Sequence, residues 1–287
     1  MQRILLCTDG SSFAPNLYTC GAWFAQRLNA GVDVLCVTNA RRQAANEVRD
    51  YSGSIGLGAS DALLKQLVEL EHEKAQLEHQ RAKLILADAR EALTSQGVDR
   101  IQLRHESGVF VDCFQTFEPS ADLIVLGKRG TTAETESEHL GGNLERIVRA
   151  SHKPCLVVSS EIKPIAQILL AYDGSASCRS MLQFLLKSPA FTGLSLHIAT
   201  VAKRADDEIA RDRLRDAEAH SKTAGFQPIC QLLVGHPEDE IAQYSQDRDI
   251  DLLMMGAYGH SRIRHWVIGS TTAQLLRSSH IPVLVYR

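Results

Sequence analysis

At 287 residues the chain is long enough for two units, each with its own core, and 44% hydrophobic with 23% charged residues is a globular composition. A net charge of −3 leaves no global basic field to recommend nucleic acid as a partner. No apolar run reaches the roughly 18 residues that a membrane-spanning helix needs.

The first residues, "MQRILLCTDG", run straight into a strand pattern. They lack the charged region, apolar region and cleavage site of a secretory signal. The seven cysteines (Cys7, Cys20, Cys36, Cys113, Cys155, Cys178, Cys230) are an odd number with no C-x-x-C pair. Several sit in apolar runs such as "VLCVT" and "PCLVV", where a free thiol behaves as a small hydrophobe. A reducing compartment, and so a cytoplasmic location, is expected. A catalytic cysteine is disfavoured, because no base is positioned to activate one.

Further along, "YSGSIGLGAS" (51–60) reads as a Gly/Ser-rich loop, followed by a long helix from about Asp61 to Thr94. Leu63, Leu67, Leu70, Leu77 and Leu84 fall on one stripe of it, interrupted by Lys74 and Arg81. Packing of that helix on its own sheet is the preferred expectation, and a partner face is the alternative. "ADLIVLGKRG" (121–130) and "RIVRASHKPCLVV" (146–158) then lead to a polar, Pro164-containing seam at 159–167.

Beyond the seam the pattern starts again. "ILLCTDGSSFA" at 4–14 returns as "ILLAYDGSASC" at 168–178, an offset of 164. "ADLIVLGKRG" returns as "IDLLMMGAYG" at 250–259, and "RIVRASHKPCLVV" as "QLLRSSHIPVLVY" at 274–286. The chain is a tandem duplication. In the second copy, strand candidates "QILLAY", "LSLHIATV", "ICQLLV", "DLLMMG" and "VLVY" alternate with amphipathic helical segments. Continuous apolar strands between helices predict a parallel, doubly wound α/β sheet in each copy. Asp9 to Gly127 spans 118 positions and Asp173 to Gly256 only 83, so the first copy holds 35 extra residues.

In such sheets ligands lie beyond the carboxyl ends of the strands, where the strand order reverses. "YDGS" and the stretch "GAYGHSRIRHWVIGST" both follow strands of the second copy. Gly256 and Gly259 allow close backbone approach. Gly269, Ser270, Thr271 and Thr272 open a helix whose amides and hydroxyls suit an anion. His260, Arg262, Arg264 and His265 lie between them, placed to screen phosphate charge. A turn glycine and an N-cap serine are the plainer account of the same residues.

Gly256-x-x-Gly259, nine residues, then Gly269-Ser270 resembles the G-2x-G-9x-G-[S/T] signature of the ATP-binding universal stress protein family. "DGS" after the first strand and "SHIPVLV" at the last are similar to that family too, and the likeness covers both halves. It implies two tandem Rossmann-like domains of the adenine nucleotide alpha hydrolase-like type, each a five-stranded parallel sheet flanked by helices. Their expected limits are 1–160, with a long helical insertion at about 41–95, and 161–287. It further implies an adenine nucleotide, ATP with or without Mg²⁺, as ligand. Asp173 would sit near ribose and phosphates, and the Val201 backbone on the adenine. Met255 and Gly256 would line base and ribose, with Gly259, Gly269, Ser270 and Thr271 on the phosphates. The family commonly dimerises, so a homodimer or a pairing of the two domains within one chain is expected.

The first copy departs from this signature. Ten residues separate Gly130 from Gly141, Gly142 stands where Ser270 does, and Glu134, Glu136 and Glu138 fill the loop. Like charges and a lost hydroxyl predict weak nucleotide binding there, or none. Lys128 and Arg129 oppose that expectation unless they are merely solvated.

Walker A and S-G-G-x-D-S loops are absent, as are a G-x-S-x-G elbow and a pair of acids for Mg²⁺. His72 and His79, seven apart, do not make an H-E-x-x-H metal site. The function that the resemblance implies is that of a stress-response regulatory protein binding ATP or a related adenine nucleotide in the C-terminal domain, with little or slow hydrolysis. The alternatives are an enzyme that hydrolyses ATP or transfers its phosphoryl or nucleotidyl group, and a nucleotide-switched interaction module.

Overall fold

The computed structural model describes residues 2–38, 57–128, 142–160, 162–257 and 269–287. Its strands are β1 (Arg3–Cys7), β2 (Gly31–Thr38), β3 (Ile101–Ser107), β4 (Leu123–Gly127) and β5 (Cys155–Val158) in the first half. The second half holds β6 (Gln167–Ala171), β7 (Ser195–Ala202), β8 (Ile229–Val234), β9 (Leu252–Gly256) and β10 (Val283–Tyr286). The helices are α1 (Ala14–Leu28), α2 (Leu57–Ser95), α3 (Phe110–Phe117), α4 (Gly142–Ala150), α5 (Ala176–Lys187), α6 (Glu208–Thr223), α7 (Pro237–Asp247) and α8 (Ser270–Ser278).

Each half is a five-stranded parallel sheet, ordered β3-β2-β1-β4-β5 and β8-β7-β6-β9-β10. The two share one sheet of ten strands, because β5 and β10 pair antiparallel with Leu284 opposite Leu156. The sequence leaves pairing within a chain or between chains open; here the halves pair within the chain.

Period-two alternation sorts the strand residues between two layers. Ile4, Leu6, Leu156, Ile168, Leu170 and Leu284 face α1, α2, α5 and α6. Leu5, Cys7, Val157, Leu169, Met255 and Val285 face α3, α4, α7 and α8. Both apolar layers run without a break from one half into the other.

A second contact joins the halves away from the strands. Phe24 of α1 meets Phe191, in the 3-10 turn Pro189–Phe191, edge to face at 6.0 Å, and neither is exposed to solvent. Arg27 lies over the Trp23 ring and donates to the carbonyls of Ala190 and Thr192.

The extra residues of the first copy produce an unusual helix. Counted back from their ends, α2 and α6 are homologous from residue 80 onward, with Ile85 where Arg213 stands and Leu86 where Leu214 stands. In that shared part Ala82, Leu86, Ala89 and Leu93 are buried against the sheet. Ahead of it, residues 65–77 are exposed without exception. The expectation that the whole helix packs on its own sheet therefore holds for its C-terminal part alone. Leu67, Leu70, Leu77 and Leu84 are 48%, 60%, 65% and 67% exposed; the side chain of Leu63 lies outside the described residues.

Candidate functional site

The strand order reverses beside β6, where the chain proceeds to β7 on one side and returns as β9 on the other. The carboxyl end of β6 therefore opens into a crevice between two neighbouring strands. Asp173 stands at its mouth, two residues past β6. Its Oδ1 accepts the Ser175 amide at 2.8 Å, closing an Asx turn that Gly174 completes at φ +72°. A side chain at Gly174 would also approach Arg213 Cδ to 3.0 Å. Ser175 then caps α5, accepting from the Cys178 amide at 3.3 Å.

Val201 forms the β7 wall. Tyr172 N–H donates to Ala199 O at 2.8 Å on the β6 side, while Gly235 N–H donates to Ala202 O at 3.1 Å on the β8 side. Backbone groups alternate along a strand, so the N–H and C=O of Val201 point toward β6, beyond its last residue. Thr200 Oγ1 bonds Tyr172 O at 2.8 Å and fixes the floor between them.

On the opposite wall Met255 is buried and Gly256 ends β9. A Cβ on Gly256 would lie 2.5 Å from Ser177 Oγ and 2.9 Å from the Cys178 amide nitrogen. The glycine thus lets β9 and the start of α5 touch, a packing reason that spacing alone does not reveal. Thr272 Oγ1 donates to Gly256 O at 3.2 Å and Gly269 N–H to Ala257 O at 3.4 Å. Those two bonds seat the first turn of α8 directly above β9. Among the described residues no side chain caps that turn. Helix geometry leaves the amides of Ser270, Thr271 and Thr272 without intrahelical acceptors. Ser270 is exposed, Thr271 half-buried and Thr272 buried.

Asp173, Val201, Met255, Gly256, Gly269, Ser270 and Thr271 are thus gathered around the ends of β6, β7 and β9. Gly259 and the loop residues His260, Arg262, Arg264 and His265 lie outside the described residues. Arg129, Gly130, Glu134, Glu136, Glu138 and Gly141 of the first copy do so as well.

The first copy repeats the turn: Asp9 Oδ1 accepts from Ser11 N–H at 3.0 Å, and Gly10 has φ +70°. The equivalent of Ala257 is Lys128, which is not left in solvent. It is buried, and Nζ donates to Ser279 O at 2.8 Å, just past the end of α8. Ser159 Oγ donates to the same carbonyl at 3.2 Å. A cation at a helix C-terminus is well placed electrostatically, so this lysine serves the junction between the halves. Replacing Lys128 with Met should lower stability by about 1.5–3 kcal/mol, the scale for a charged hydrogen bond. Urea midpoints of the full chain check this; an unchanged midpoint would mean the bond contributes nothing.

Burial disfavours the thiolate at the buried cysteines and at half-buried Cys230. Burial raises Cys20 and Cys155 to about 12. Burial first, then the charge of Asp173, does the same to Cys178. Cys36 and Cys230 are raised to about 11 by burial. They act as small hydrophobes.

The architecture defines a class: paired parallel α/β units whose crevice lies at the strand ends. The Universal stress protein family model matches residues 1–159 and 164–287. Over all 287 residues the chain is 52% identical to Universal stress protein Slr1230 of Synechocystis sp., with 100% of both chains covered. It is 28% identical over 80 residues to Universal stress protein MJ0577 of Methanocaldococcus jannaschii, 28% of this chain and 49% of that one. A solved universal stress protein from Archaeoglobus fulgidus covers 99% of this chain with 96% of its own, at TM-score 0.70 and 20% identity, a likeness of fold. The chain belongs to the universal stress protein family, with the family domain present twice.

Proposed function

We propose that the crevice of the C-terminal unit (161–287) binds ATP or a related adenine nucleotide, and that the N-terminal unit (1–160) binds it weakly or not at all. Support comes from the G-2x-G-9x-G-S spacing together with the placement of Gly256, Gly269 and Ser270 around one crevice. The observation that carries the reading is the start of α8, which no side chain among the described residues caps, fastened over β9 by Thr272. It presents backbone donors beside the Val201 edge and the Asp173 turn, a pattern suited to phosphates at one end and a base at the other. Asp173 contacts ribose and phosphates, Val201 and Met255 the base side, and Gly259, Gly269, Ser270 and Thr271 the phosphates. In the first copy Lys128, the residue after β4, is already engaged across the junction. The protein acts as a cytoplasmic stress-response regulator that holds nucleotide and turns it over slowly or not at all.

Because the halves share a sheet, the test uses the full chain. Calorimetric titration with ATP, with and without Mg²⁺, should give one site per chain. Asp173→Ala should weaken it about tenfold or more, the scale of a lost charged contact, while Asp9→Ala leaves it unchanged. Two sites of similar affinity would overturn the assignment, and loss through Asp9→Ala alone would reverse it. Rapid product formation would move the protein to the enzymes.

A further inference from the structure

Among the described residues the N-terminal part of α2 meets no packing partner. Residues 57–78 extend about 33 Å at 1.5 Å per residue, and of these 65–77 are exposed throughout. Its root is held where His79 Nδ1 meets Nδ1 of His105, on β3, at 3.0 Å. Most helical stability in proteins comes from tertiary packing of an apolar face, and this stretch carries its leucine ridge exposed. Leu70, Leu77 and Leu84 recur every seven residues on the face turned away from Ala82, Leu86, Ala89 and Leu93, and Leu67 lies between the two faces. Seven-residue spacing is the repeat of a helix that packs lengthwise on another.

Charge along the ridge selects the occupant. Glu69, Glu71 and Glu73 outnumber Lys65 and make the outer part net acidic, while Lys74, Arg81 and Lys83 outnumber Glu78 and make the inner part net basic. A parallel second copy would set acid on acid and base on base. An antiparallel copy, crossing at Leu77, sets Leu70 opposite Leu84 of the second copy. At 100° per residue, Lys74, Arg81, Glu71 and Glu78 flank the ridge on one side, and Glu69, Glu73 and Lys83 on the other. In an antiparallel pair each flank meets its own kind. Arg81 then lies within two residues' rise of Glu71, Lys74 of Glu78, and Lys83 of both Glu69 and Glu73, about 3 Å in each case.

We infer that the projecting part of α2 is a self-association surface, through which two copies of this chain pair by an antiparallel, twofold-symmetric contact of their α2 helices centred on Leu77. This assembly is separate from the pairing of the two halves through β5 and β10, and does not depend on the nucleotide reading.

Sedimentation equilibrium of the full chain should give twice the 31.6 kDa of one copy. Leu77→Asp, at an exposed position, should sediment as one copy and keep the ATP affinity of the unaltered chain. E69K/E71K/E73K and R81E/K83E should each sediment as single copies, and an equimolar mixture of the two should recover the doubled mass. A single-copy mass for the unaltered chain would overturn the inference. So would a dimer that persists in Leu77→Asp, or a mixture of the charge variants that stays single.

Discussion

Phe191→Ala is expected to lower the stability of the whole chain by about 3–5 kcal/mol, the usual cost of truncating a fully buried phenylalanine. Phe191 has no solvent exposure and packs edge to face on Phe24 at 6.0 Å and on Phe184 at 5.9 Å. The first of these rings belongs to α1, in the other half of the chain. The turn that carries Phe191 is clamped further by Arg27, whose guanidinium holds the carbonyls on either side of it. Loss of the ring therefore removes support from α1 as well as from its own unit. Fluorescence gives a direct readout, because Trp23 lies 4.8 Å from Phe24. In a Trp266→Phe background, urea unfolding seen by Trp23 should move to a lower midpoint when Phe191 is truncated. An unmoved Trp23 transition, beside a separate early transition in circular dichroism, would show two units that unfold independently.

The second large effect is expected at Gly256. Its replacement by alanine would set a Cβ 2.9 Å from the Cys178 backbone nitrogen and 3.1 Å from Cys178 Sγ. Ser177 Oγ, at 2.5 Å, has other rotamers, but the backbone of α5 does not. The helix start must move off β9, and over-packing of this kind costs about 1–3 kcal/mol. The same displacement shifts the Asp173 turn relative to α8, so ATP affinity should fall by about tenfold or more. Gly142→Ala is the control, since a Cβ there would meet nothing within 4 Å. Its stability should stay within about 0.5 kcal/mol of the parent. Calorimetry on both variants decides the matter; a Gly256→Ala chain that binds ATP normally would separate this packing contact from the crevice.

The fold was legible because both signals behind it are strong. The repeat displays two units, and strands buried on both faces leave continuous apolar runs such as "LLMM". What the runs do not disclose is their neighbours. "CLVV" and "VLVY" announce buried strands, yet nothing in four apolar letters says that β5 meets β10 antiparallel. Lys128 was opaque for a similar reason, since its acceptor, Ser279, lies 151 positions away. The α2 helix was legible in extent, from about Asp61 against an observed Leu57, but only part of its packing was. Its leucine stripe and its buried face both satisfy helical periodicity, and periodicity does not say which of the two meets the sheet. At the crevice, the glycine and hydroxyl spacing was visible. The distinct tasks of Gly256 and Thr272, packing against α5 and fastening α8, depend on tertiary contacts.

The strand seam at β5 and β10 also governs how this protein responds to its own abundance. Units on separate chains would find each other less often as the cell dilutes them, whereas tethered units meet at a local concentration set by the linker alone. The encounter of the two folds is therefore insensitive to expression level.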